Sequence, residues 1–393
     1  MARRCAIAAI AIGLVLSGCA AAPVTLSGPL KPWSAVPAVA VDPVTAYSTA
    51  RLAHLTLEQK IASLLMIHVP GTDASAIRGA IDATGVSGVI FMGDNVPGSA
   101  AGLAAMTSVL SADPGLPVLT SIDQEGGIVR RLPGDSAASA SQLRSQDPAA
   151  AEEAFRSRSA LVASAGVAIN FGIVADVTGD HHSFIYPRVM GVDAASAAPR
   201  VAAAVEGEKG TVFSTLKHFP GHGSVEGDSH VSVPTTGMGI DEWRSTQEPP
   251  FQAGIDAGAE FVMMGHLRYS SVDTMPATLS PVWNKILRDD LGFTGVIVTD
   301  DMTMLEHSGE AQFADQAQNA TWAIAAGDTL LLYVGPVDVG GVVSTVAAAV
   351  RDGSIPESTI DDAALRLIEL RRGMSSETGP YIHCGDDCRS FSS

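Results

Sequence analysis

The sequence predicts an α/β fold, a parallel (β/α)8 barrel of the TIM type, on three observations. Short β-branched, apolar runs recur eight times; Ala-rich segments with helical spacing separate them; and polar residues fall just after several of the runs. The runs are 64–69, 88–92, 118–122, 167–173, 212–216, 261–264, 296–299 and 330–334. Most are apolar almost throughout rather than alternating, as expected of strands covered on both faces in a parallel sheet. A doubly wound open sheet is the competing arrangement. Helical spacing covers 100–110, 149–165, 197–210 and 311–326, and Thr56 with Gln59 three positions on forms a capping box that starts a helix ahead of the first strand.

The chain has 393 residues, 46% of them hydrophobic and 17% charged, which suits a large packed core and excludes a disordered or coiled-coil protein. Asp and Glu outnumber Lys and Arg by 42 to 24, a formal net charge of −18, so no nucleic-acid partner is expected. Beyond the N-terminus, no run approaches the ~20 apolar residues that span a bilayer. The N-terminus is different: Arg3 and Arg4, an apolar stretch over 5–16, then Leu16-Ser17-Gly18-Cys19. Positive charge, a short apolar core and small residues before a cysteine read as a lipoprotein signal peptide over 1–18, with Cys19 the lipidated first residue of the mature chain. An Ala/Pro-rich tether follows over 19–46, the folded domain over 47–376, and a polar tail over 377–393. In that tail Cys384 and Cys388 are placed to form a disulfide, the commoner fate of neighbouring cysteines outside the cytoplasm. The expected location is the outer face of the cell membrane, held by the lipid.

The polar residues after the runs are Asp123, Asp176, Lys217 and His218, His266, and Asp300 and Asp301. In a barrel these strand ends converge on one face, where the chemistry of this architecture sits. The densest stretch is Lys217-His218-Phe219-Pro220-Gly221-His222-Gly223, followed by Asp228-Ser229-His230. Its Gly and Pro residues allow a tight excursion, and Asp228 is close enough in sequence to orient the His230 imidazole. Metal ligation by His218, His222 and His230 is disfavoured: the spacing matches no familiar zinc pattern, and Lys217 would set a cation beside the metal. No metal or other cofactor is assigned. In 121–131, the pair Gly126-Gly127 permits a turn that brings Asp123 and an arginine together. The run 296–299 delivers Asp300 to the barrel mouth, while alternation points Asp301 away.

The segments 217–230, 123–131 and 298–304 together resemble the β-N-acetylhexosaminidases of glycoside hydrolase family 3, over about residues 50–376. The resemblance implies a single catalytic (β/α)8 domain and a retaining mechanism. It implies Asp300 as nucleophile and His230, on a mobile loop and held by Asp228, as acid/base. It also implies sugar binding by Asp123, Arg131, Lys217, His218 and Arg188. Of the Ile-Gly-x-Arg-Ser-Phe-Gly stretch usual in the family, only Arg188 and its flanks survive, and Ile128 stands where an arginine is usual.

The function expected on this basis is an exo-acting β-N-acetylglucosaminidase that releases terminal GlcNAc. Its expected substrates are GlcNAc-containing glycans or muropeptides from peptidoglycan turnover, and it is expected to act as a monomer. Two alternatives differ in chemistry. A neutral imidazole in place of a second carboxylate repels phosphate less, which would suit a β-N-acetylglucosaminide phosphorylase. A non-catalytic wall-binding lipoprotein would have no use for Asp300, His230 and Asp228 together.

Overall fold

The computed structural model describes residues 42–376. The signal sequence, Cys19, nearly all of the expected tether, Cys384 and Cys388 lie outside the described residues. The first described helix, Pro43–Ala53, begins within the stretch expected to be tether; Asp42 caps it, and Tyr47 is fully buried.

Eight strands build the sheet: β1 (Leu65–His68), β2 (Gly88–Phe91), β3 (Leu119–Ile122), β4 (Ile169–Val174), β5 (Phe213–Phe219), β6 (Phe261–Met264), β7 (Val296–Thr299) and β8 (Leu331–Tyr333). They lie parallel in the order β8-β1-β2-β3-β4-β5-β6-β7. The ends of that order meet: Val298 bridges to Leu330, Leu332 N donates to Thr299 Oγ1 at 2.9 Å, and Met302 N donates to Leu332 O at 2.9 Å. The fold is therefore a (β/α)8 barrel, not an open sheet.

Local chemistry sets the element ends. The capping box at Thr56 is formed, with Gln59 N donating to Thr56 Oγ1 and Thr56 N donating to Gln59 Oε1. The helix expected over 197–210 starts earlier, at Ala194, because Asp193 accepts from Ser196 N and caps it there. The 311–326 stretch divides at Asp315, which caps the helix Gln316–Ala326 behind a single 3₁₀ turn.

One difference bears on the site. Lys217 and His218 do not follow the fifth strand; they belong to it, since the ladder continues through Val174↔Lys217 and Phe219↔Met264. A buried lysine in a strand is ordinarily costly, and here opposite charge offsets the cost.

Beneath the end of β5, Phe219 packs edge-on against Trp243, Phe251 and Trp283, with ring centroids 5.8, 5.2 and 5.8 Å away. Such pairs contribute about 0.5–1.5 kcal/mol each beyond the area they bury. Trp243 Nε1 donates to Pro220 O at 2.7 Å, fixing the turn that leaves the strand. Gly223 in that turn admits no side chain, since a Cβ there would stand 1.9 Å from Val177 O.

Candidate active site

The C-terminal ends of the strands surround a cavity of about 200 Å³. Asp123, Arg131, Arg188, Lys217, His218, His230 and Asp300 all line it, and Asp228 touches it through His230. A larger hollow of about 510 Å³ is lined by residues that precede β1, β2 and β3 and by residues that follow β8, Val339 and Arg371 among them, and it carries none of these groups.

The hairpin after β3 is the first component. Glu125 N and Gly126 N both donate to Val129 O, and Gly126 and Gly127 have φ of +85° and +64°, which glycine adopts without penalty. Gln124 closes the turn by accepting from Arg131 N and Leu132 N at 2.9 Å. Arg131 is thereby brought to Asp123, Nη2 to Oδ2 at 3.2 Å.

Strand β5 supplies Lys217, whose Nζ lies 3.0 Å from Asp123 Oδ1 and 2.7 Å from Glu125 Oε1. Arg188, in a 3₁₀ turn over Tyr186–Arg188, grips Glu125 with two nitrogens at 2.9 and 2.7 Å. Burial pushes the Glu125 carboxyl up, but Lys217 and Arg188 overcome this and hold it at about 2. Burial likewise disfavours the Lys217 ammonium, and Asp123 with Glu125 reverses that effect, so its pKa lies above the usual lysine value.

His218 is fixed from behind by Asp176, which accepts from its backbone N–H and lies 2.7 Å from its Nδ1. Arg188 Nη2 approaches His218 Nε2 at 3.3 Å, so the network is satisfied with Nδ1–H donating to Asp176 and Nε2 accepting from Arg188.

Asp300 follows β7, and its Oδ1 accepts from Asp301 N at 2.8 Å. Burial raises its carboxyl, but the His218 and His266 imidazoles, the Asp301 N–H and Lys217 together bring it below the usual carboxylate range. Asp301 is occupied elsewhere: its carboxylate accepts from Thr303 N, Thr303 Oγ1 and Val334 N. His266 is buried with Nε2 donating to Asp301 O at 2.8 Å, so it supports the backbone under the two aspartates.

Asp228 and His230 form a pair, Nδ1 to Oδ1 at 2.6 Å. The imidazole is largely exposed, and Phe184 meets it edge-on with centroids 6.4 Å apart.

Residues 56–370 match the model for the glycosyl hydrolase family 3 N-terminal domain. This chain belongs to glycosyl hydrolase family 3. Among relatives, a protein named Beta-hexosaminidase from Xanthomonas oryzae pv. oryzae is 37% identical over 253 residues, 61% of this chain and 75% of that protein. The solved structure of a glycoside hydrolase family 3 β-N-acetylglucosaminidase from Paenibacillus sp. is similar with a TM-score of 0.76 at 30% identity. That match covers 84% of this chain and 65% of the Paenibacillus chain, just under two thirds of its length. A β-N-acetylhexosaminidase from Beutenbergia cavernae matches with a TM-score of 0.71 at 30% identity, over 81% of this chain and 99% of that one. As a family 3 protein, the chain is a glycosidase.

Two residues to which the sequence assigns no role hold this cluster together. Glu125 carries the charge that holds Lys217 and Arg188, and Asp176 carries His218. The sequence points to Asp176 only by its place after a strand, and nothing in it singles out Glu125. Glu125→Ala leaves two buried cations short of a partner and should lower unfolding free energy by roughly 3–5 kcal/mol in urea denaturation. A loss under about 1 kcal/mol would mean that solvent already screens the cluster.

Proposed function

We propose that the protein is a retaining exo-β-N-acetylglucosaminidase that removes terminal GlcNAc from peptidoglycan fragments at the outer face of the membrane. One observation carries this reading. An ionised Asp300 and the Asp228–His230 pair border a single small cavity whose remaining polar wall is a charge-balanced cluster suited to sugar hydroxyls. The names of the relatives add the hexosamine, and the lipobox ending at Cys19 adds the location.

In this mechanism Asp300 attacks the anomeric carbon as His230 gives its proton to the departing glycosidic oxygen. The C–O bond to the aglycone breaks and an ester to Asp300 forms. His230, now neutral, takes a proton from water, which attacks the same carbon and frees the carboxylate. Asp228 orients the imidazole and stabilises its protonated form. Asp123, Arg131, Lys217, His218 and Arg188 hold the sugar hydroxyls.

Defined muropeptides and chitobiose, incubated with and without phosphate, test the reading. Free GlcNAc is expected in both conditions. GlcNAc 1-phosphate as the product would replace hydrolysis by phosphorolysis, and no release from any substrate would leave a wall-binding role.

His230→Ala is expected to lose about 10²–10⁴-fold on chitobiose, the usual worth of general acid catalysis. A nitrophenyl glycoside, whose aglycone leaves unprotonated, should lose far less in the first step, and azide should accelerate the second. Equal losses on both substrates with no response to azide would contradict the acid/base role. Cys19→Ala should shift the protein from the membrane fraction to the medium or leave its precursor unprocessed. Unchanged membrane association without lipid on the mature N-terminus would refute the anchor.

A further inference from the structure

The segment between Val225 and Val233 carries the Asp228–His230 pair, and its hydrogen bonds are mostly internal. Val225 and Val233 are buried and fix its two ends. Between them, His230 N and Nδ1 engage Asp228 Oδ1, while Val231 N and Ser232 Oγ donate to Asp228 O. The Asp228 and His230 side chains are 43% and 62% exposed.

Ser229 is the exception. It is the one buried residue within 226–232, and its Oγ lies 3.0 Å from His222 Nε2. Among the described residues, no other hydrogen bond of 226–232 leaves the loop.

His222 is itself rigidly held. It is buried, its backbone N–H donates to Asp176 Oδ1 at 2.6 Å, and its ring packs edge-on against Phe184 and His218, with centroids 4.5 and 5.9 Å away. Its Nδ1 has no hydrogen-bond partner among the described residues, so Ser229 is the ring's polar contact. Burial pushes the imidazole down to about 4, which leaves it uncharged at neutral pH. His222 does not line the cavity, whereas Ser229 and His230 do.

We propose that His222 is a positioning residue whose hydrogen bond to Ser229 docks the acid/base loop on the barrel and sets His230 at the cavity. Asp176 then serves two ends of the site at once, holding the sugar-facing His218 and the loop-holding His222. The proposal rests on the reading of His230 as the acid/base.

A comparison of leaving groups tests it. Ser229→Ala removes a single oxygen and is expected to lose about tenfold in kcat/KM on chitobiose but no more than about twofold on a nitrophenyl glycoside, with KM little changed. His222→Leu should show the same split. His222→Gln, whose amide reaches the Nε2 position, should recover most of the loss. The double variant Ser229→Ala/His222→Leu should lose no more than His222→Leu alone, because one bond is broken in both.

Equal losses on the two substrates, or additive losses in the double variant, would overturn the docking role. If His222→Leu fails to fold, Ser229→Ala carries the test alone. His230→Ala with no dependence on leaving group would remove the acid/base reading and this proposal with it. His230→Ala behaving as an acid/base while Ser229→Ala matches the wild type would reject the docking role only.

Discussion

The buried ammonium of Lys217 is the constraint on which the site depends. Set in the last part of β5, it is tolerable only because Asp123 and Glu125 reach it from the hairpin after β3. That demand shapes the hairpin on both sides. In front stand Lys217 and Arg188; behind lies Arg158, fully buried and paired with Asp135 at 2.8 Å. A Cβ at position 126 would fall 2.1 Å from Arg158 Nη2, so only glycine lets the loop pass between its two sets of cations. Two barrel strands are joined at their functional ends by charge rather than by apolar packing.

The same cluster explains what the cavity can accept. Lys217, Arg188 and Arg131 are set against Asp123, Glu125, Asp300 and Asp301, three formal positive charges to four negative. A site so close to balance has donors and acceptors in abundance but little net attraction for an anion, which suits the hydroxyls of a neutral sugar. Within that field, the Asp300 carboxyl is held below the usual carboxylate range, while the Asp301 carboxylate is engaged by Thr303 and Val334. Adjacent acids thus differ in their surroundings because their hydrogen-bond partners differ.

Much of the fold was legible in the sequence because parallel strands buried on both faces are mostly apolar, and all eight barrel strands overlap such runs. The site was legible in outline, since Asp123, Arg131, Lys217, His218, His230 and Asp300 follow from strand ends and motif. What stayed hidden were the relations across the barrel. The link from Glu125 to Arg188 joins residues 63 positions apart and that from Asp176 to His218 joins residues 42 apart, and no local pattern announces such a pair. Lys217 and His218 were placed after their strand for a related reason. Charge usually ends a strand, and the compensating carboxylates come from elsewhere in the chain.

The proposed mechanism turns on a covalent bond between Asp300 and the sugar. A 5-fluoro glycosyl fluoride of GlcNAc, which slows release of the intermediate, followed by peptide mass spectrometry, tests it most directly. The account predicts a stoichiometric label on the peptide containing Asp300 and none on Asp300→Ala. A label on Asp301 would contradict the assignment of the nucleophile, and an unlabelled enzyme still turning over substrate would contradict the covalent mechanism itself.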